Sequence, residues 1–239
     1  MITFTASSFI HWHAGKSADQ PGDIGLGNMM YFIAGVIGIA TKNEYEYGFF
    51  PWKDQRFFKN TLPQNNIEYP QFNIPWGFHG FDVPDNVSIY GYMQTFKYIE
   101  HCEDLIRYYF EFAEVFAEPY KDCIMMHYRA YDAPFMYKLN GTYYKKALSH
   151  FPKRKVVVVT DNIKRAKEVI KGPYEFISNS PIVDFYLLSN ADYIIGSNST
   201  FSTWAAFLSK AKAVFPWRWM AIGETQSASD IYMKEWIKG

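Results

Sequence analysis

The chain has 239 residues and carries 24 Lys plus Arg against 24 Asp plus Glu, a formal net charge of zero. That balance excludes a broad basic field of the kind that holds a nucleic-acid backbone by counterion release. A hydrophobic share of 49% excludes a disordered chain, and the length is enough for one large α/β domain or two small ones with proper cores.

Residues 2–10 (ITFTASSFI) read as a strand running into a polar loop that closes on Pro21-Gly22-Asp23-Ile24-Gly25-Leu26-Gly27-Asn28. An apolar helix is expected over 29–42 and a short strand over 45–50, the opening of a βαβ unit with a glycine-rich turn at the helix N-terminus. The run Met29–Ala40 is 12 residues long, short of the roughly 20 that a membrane span needs. The N-terminus also lacks the basic-then-apolar pattern of a secretory leader. The expectation is a cytoplasmic protein without a transmembrane segment. Residues 51–90, with five prolines and many aromatics, read as loops, and 95–116 as a helix with Phe96, Ile99, Leu105, Ile106, Tyr109 and Phe110 on its apolar side.

The second half alternates more regularly. Strands are expected at 122–128, 154–160, 174–177 and 192–196, with helices at about 142–150, 162–171, 181–190 and 201–210. The all-apolar run Val156–Val159 suits a parallel strand buried on both faces. Strands separated by helices point to a doubly wound parallel sheet, whose ligands bind beyond the carboxyl ends of its strands. The expected division is 1–120 and 121–239, two lobes meeting at a cleft, with the last helix crossing back. Cys102 and Cys123 form no disulfide framework and have no metal-ligand spacing, so buried thiols are expected.

Three polar clusters fall at those strand ends. His127-Tyr128-Arg129 with Asp132 follows the first, and reads equally as a set of solvated or structural residues. Thr160-Asp161-Asn162 follows the second and is also a good helix cap. Gly196-Ser197-Asn198-Ser199-Thr200-Phe201-Ser202-Thr203 follows the last, a capping sequence that is also an anion cradle. Their convergence on one crevice favours a ligand site.

Four segments in order carry a resemblance to glycosyltransferase family 11, the α1,2-fucosyltransferases. Gly25-Leu26-Gly27-Asn28-Met29-Met30 is similar to G-x-G-N-Q-M, and Gly91-Tyr92-Met93-Gln94-Thr95-Phe96-Lys97-Tyr98 to G-Y-x-Q-S-x-K-Y. His127-Tyr128-Arg129-Ala130-Tyr131-Asp132 resembles H-x-R-R-x-D, with Ala130 in place of the second Arg and Tyr131 before the Asp. Ser197-Asn198-Ser199-Thr200-Phe201-Ser202-Thr203-Trp204-Ala205-Ala206-Phe207-Leu208 resembles S-N-S-T-F-S-W-W-A-A-W-L, with Thr203 for one Trp. The chain thus resembles a divergent member of that family.

The resemblance implies a GT-B-like α/β fold with two lobes and a C-terminal Rossmann-like GDP-sugar-binding lobe, the N-terminal lobe being the acceptor side. It implies inverting transfer of L-fucose from GDP-fucose to a glycan hydroxyl. Another GDP-sugar, or a silent nucleotide or sugar binder, stays open beside it. By the same likeness His127 and Asp184 would hold the guanine, Asp184 being equally readable as a first-turn helix residue. Arg129 would bind the β-phosphate, sharing it with Ser202 and Thr203, and Asn28, held by the turn glycines Gly25 and Gly27, would reach the pyrophosphate or the sugar. Asp132 is the first candidate for general base and Asp161 the second, with a structural role for Asp132 equally open. None of the 12 Asp residues lies two positions from another, so the Asp-x-Asp metal pair of many sugar-nucleotide transferases is missing. The donor is therefore expected to bind without a metal or other cofactor.

Overall fold

Val156–Val159 is the centre of a strand with no exposed face, as a parallel strand between two layers of helices must be. In the computed structural model, which describes residues 1–4, 24–130, 136–221 and 230–239, the chain forms two compact units, Met1–Glu114 and Val115–Gly239.

The first unit holds β1 (Ile2–Phe4), α1 (Leu26–Asn43), β2 (Gln71–Asn73), β3 (Val87–Tyr90) and α2 (Glu103–Tyr109). β3 lies between β1 and β2 and runs parallel to both, Thr3 and Gln71 each facing Ser88. Gly27 and Met29–Ala40 of α1 are all buried, so an apolar stretch too short for a membrane is a core helix. Among the described residues, no helix is long and apolar enough to cross a membrane.

Three sequence readings change here. The strand expected at 45–50 is reduced to single bridges, Tyr47 to Ile2 and Phe49 to Gln64. The stretch 51–90 contributes β2 and β3, too short and too closely flanked by prolines to show a period. The helix expected over 95–116 breaks into a 3-10 turn, Phe96–Tyr98, and the seven-residue α2. The backbone leaves helical angles at Ile99 (φ −120°, ψ 0°) and Cys102 (φ −140°, ψ 29°), between the two pieces. The Tyr98 hydroxyl accepts from His79 N and reaches Gly77 O, and its carbonyl lies against α1.

The second unit holds β4 (Cys123–Tyr128), α3 (Gly141–Leu148), β5 (Lys155–Thr160), α4 (Ile163–Val169), β6 (Glu175–Ile177), α5 (Pro181–Ser189), β7 (Tyr193–Ile195), α6 (Thr200–Ser209), β8 (Lys212–Phe215) and β9 (Ile237–Lys238). The four expected strands and four expected helices are all present, with ends moved by a residue or two. The sheet order is β6-β5-β4-β7-β8-β9, and every pair is parallel. This is the Rossmann order, reversing direction between β4 and β7. Ile124, Met126, Val156, Val158, Ile195 and Val214 form a core with Tyr144 and Ala147 of α3 and Ala166 of α4. Met125, Val157, Val159 and Ile194 fill the opposite face. No α-helix follows Ser209 among the described residues. Instead of a helix crossing back, the C-terminal segment adds β9 beside β8, held by Phe215 stacked on Tyr232 and packed on Trp236. Cys102 and Cys123 are buried, free thiols.

Gly38 shows how closely α1 is packed: a Cβ there would stand 2.0 Å from the Tyr98 carbonyl oxygen. We expect Gly38→Ala to destabilise the protein by about 1–3 kcal/mol, because backbone must move to admit the methyl group. At Gly25 a Cβ would meet nothing within 4 Å, and φ is −60°. Gly25→Ala should therefore cost less than about 1 kcal/mol. Urea unfolding of both variants checks this; equal losses would show that the α1 contact is not tight.

Candidate functional site

An all-parallel sheet sends every strand's carboxyl end to one edge, and at its reversal point the connections on either side diverge to leave a crevice. Here β4 and β7 flank that crevice. The turn after β7 is fixed by Gly196, where a Cβ would stand 1.9 Å from Cε1 of Phe215. From Gly196 the chain passes through buried Ser197, Asn198 and Ser199 into α6.

Ser197 Oγ lies 2.9 Å from His127 Nδ1, across the crevice between the two strands. His127 is 4% exposed, and its ring stacks on Phe201 of α6 with centroids 5.4 Å apart. Burial, and then the charge of Arg129, push its pKa down to about 3, against a small opposite pull from Asp161. His127 is thus a neutral ring at any physiological pH. Tyr144 Oη donates to its carbonyl, and Asn198 Nδ2 donates to the carbonyls of Tyr137 and Trp219, tying two further loops to the turn.

Ser202 and Thr203 are both buried. The hydroxyl of Ser202 donates to Ser197 O and Ser199 O, and that of Thr203 to Thr200 O. In this conformation their hydroxyls therefore brace the turn.

Arg129 follows the end of β4. Its Nη1 donates to Asp161 Oδ2 at 2.5 Å, while Asp161 Oδ1 accepts the Ala130 amide at 3.0 Å. Both side chains keep substantial exposure, 47% and 35%. Asp161 thereby orients the guanidinium that follows β4. Asp132 lies outside the described residues.

Asp184 sits in the first turn of α5 and is 7% exposed. Asn179 donates to it twice, from its backbone N–H to both carboxylate oxygens at 3.2 Å and from Nδ2 to Oδ1 at 2.8 Å. Burial raises its pKa, and these bonds pull it back.

In the first unit, Gly25 is the N-cap of α1, its carbonyl accepting from Asn28 and Met29, and Gly27 is buried in the first turn. Asn28 Oδ1 accepts from Gln94 Nε2 at 2.9 Å. That bond joins the Gly25–Met30 and Gly91–Tyr98 segments, and Gln94 was not among the expected site residues. Its Oε1 is buried with no hydrogen-bond partner among the described residues.

Back in the second unit, a cavity of about 210 Å³ opens beside Arg129. Tyr128, Arg129 and Asn198 line it from the strand ends, Tyr137, Lys138 and Leu139 from the segment before α3, and Arg165, Glu168 and Val169 from α4. Of these only Arg129 was singled out in the sequence. Lys138 and Arg165 belong to no motif, and only the fold brings them to it.

Residues 139–238 match the sequence model of "Glycosyl transferase family 11". Of the four segments, only 197–208 lies within that match; the other three precede it. No curated protein matches the chain. Among solved structures, the chain is similar to an Arabidopsis thaliana FUT1 mutant in complex with GDP, at 12% identity over 87% of this chain and 71% of that one, with a TM-score of 0.47. It is also similar to NodZ alpha-1,6-fucosyltransferase soaked with GDP-fucose, at 14% identity over 77% of this chain and 89% of that one, again with a TM-score of 0.47.

The buried, neutral His127 has a consequence for stability. Unfolded, its imidazole regains an ordinary pKa near 6.5, so between about 6.5 and 3 the unfolded chain binds a proton that the folded chain refuses. This contribution is complete above pH 6.5 and is lost as the pH falls, at up to about 1.4 kcal/mol per unit. We expect His127→Gln to remove that slope. Unfolding free energies from pH 6.5 to 4 for wild type and variant check it; parallel curves would mean that His127 titrates normally in the folded protein.

Proposed function

We propose that the protein is a fucosyltransferase-like enzyme that transfers L-fucose from GDP-fucose to a glycan hydroxyl with inversion, in the manner of an α1,2-fucosyltransferase. The observation that carries this reading is the family match over 139–238, which falls on the unit whose sheet has the Rossmann order and whose reversal point is polar. In this reading GDP lies along the carboxyl edge of that sheet and needs no metal. Arg129 and the first-turn amides of α6 meet the phosphate charge, with Ser202 and Thr203 shaping the turn. The acceptor oxygen attacks the anomeric carbon as the C1–O bond to the diphosphate breaks, and the acceptor proton goes to a carboxylate, Asp132 first and Asp161 second. The electron pair of the broken bond stays on the diphosphate, where Arg129 stabilises it.

Asp184 would read the base. Asn179 already presents it with two donors, the pattern that guanine N1–H and N2–H offer together, so the ring would exchange with or share that partner. His127, fixed and uncharged, would border the base as a ring face. We expect Asp184→Ala to weaken GDP by about 1–3 kcal/mol and UDP much less. Calorimetry with both nucleotides measures it, and equal losses would make Asp184 structural only.

A second reading, a nucleotide or sugar binder without turnover, draws on the ion pair that already engages Arg129 and on the Ala130 beside it. GDP release from GDP-fucose, GDP-mannose and no donor, with and without EDTA, separates the two. We expect release from GDP-fucose, unchanged by EDTA. Arg129→Ala should lower kcat about 10²–10³-fold with a smaller change in affinity, and Arg129→Lys should rescue poorly. Wild-type turnover preserved in Arg129→Ala, or no turnover of any donor, would leave the binder reading standing.

A further inference from the structure

The cavity beside Arg129 has an unusual charge arrangement. Three cations line it, Arg129, Lys138 and Arg165, against a single carboxylate, Glu168. Asp161, bonded to Arg129, raises the opposing count to two. The cations arrive on three separate elements: the end of β4, the segment before α3, and α4. No periodicity or cap demands that they converge. The Arg165 backbone N–H donates to Asn162 Oδ1 as part of the α4 cap, but its side chain is not needed for that bond. Around them, Tyr128, Leu139 and Val169 form partly or fully buried apolar walls. Such walls strengthen both the mutual repulsion of the cations and their attraction for an anion. Asn198 closes the cavity with its amide donors already spent on two backbone carbonyls.

We propose that Arg165, seconded by Lys138, forms with Arg129 a clamp for the diphosphate of a nucleoside diphosphate. Ala130 leaves the chain without a second cation next to Arg129, and α4 supplies one from across the cavity. A guanidinium on a helix is held in place, and its planar donors suit phosphate oxygens, whereas Lys138 is exposed and acts as a mobile charge. The clamp reads phosphate and not base. It rests on the transferase reading only for the identity of the nucleoside.

Titration calorimetry with GDP, inorganic pyrophosphate and guanosine tests it, using wild type, Arg165→Gln, Arg165→Lys and Glu168→Gln. Arg165→Gln should weaken GDP and pyrophosphate alike by about ten- to a hundredfold. It should also make affinity less sensitive to salt, and leave guanosine unchanged. Arg165→Lys should recover part of the loss, and Glu168→Gln should tighten both anions. Wild-type affinities in Arg165→Gln would overturn the clamp, as would an equal loss for guanosine. Wild type that binds pyrophosphate but not GDP would keep the clamp and sink the guanosine-nucleotide reading. Wild type that binds neither would sink both.

Discussion

Ser197 Oγ against His127 Nδ1, 2.9 Å apart and out of contact with water, ties together the two strands between which the sheet reverses. Much of the candidate site hangs on that bond. It fixes the turn from Gly196 to Ser199, and that turn sets where α6 begins and where Asn198 can hold the loops that carry Tyr137 and Trp219. Because His127 is buried and uncharged, the bond does not compete with solvent and does not switch with pH near neutrality. Arg129, just past the end of β4, therefore starts from a fixed base while its own side chain stays partly in water.

Both units pack apolar helices against parallel strands, but they were legible to different degrees. β4 through β7 could be read almost residue by residue. A parallel strand covered on both sides must be apolar throughout, and the runs Cys123–Met126 and Val156–Val159 say so locally. β2 and β3 are three and four residues long and are held by pairing with chain far away, which leaves no local period. The same contrast runs through the site. Polar clusters at strand ends are visible in sequence, so His127, Arg129, Asp161 and the turn at 196–203 stand out there as candidates. Gln94, Lys138 and Arg165 are near the expected residues only because of the fold. The break after Tyr98 falls at Ile99 and Cys102, whose non-helical backbone angles leave no mark on the apolar period.

Several side chains that look like ligand contacts in sequence are engaged in holding backbone. Ser202 and Thr203 donate to carbonyls of their own turn, and Asp184 collects both donors of Asn179. This is the ordinary consequence of burial, since a polar group removed from water must find a partner inside the protein. It divides the hydroxyl-rich turn into an inner layer that supports and an outer layer of amides and cations that can act.

The central pairing also has a kinetic side. Ile124 of β4 meets Tyr193 of β7, with β5, β6 and three helices lying between them in the chain. Contacts so distant in sequence form late, after the intervening segment has been gathered up. The crevice consequently does not exist in a partly folded chain, however complete its helices are. A ligand that recognises the crevice can act only on molecules that have finished folding, and it would draw the folding equilibrium toward them by mass action.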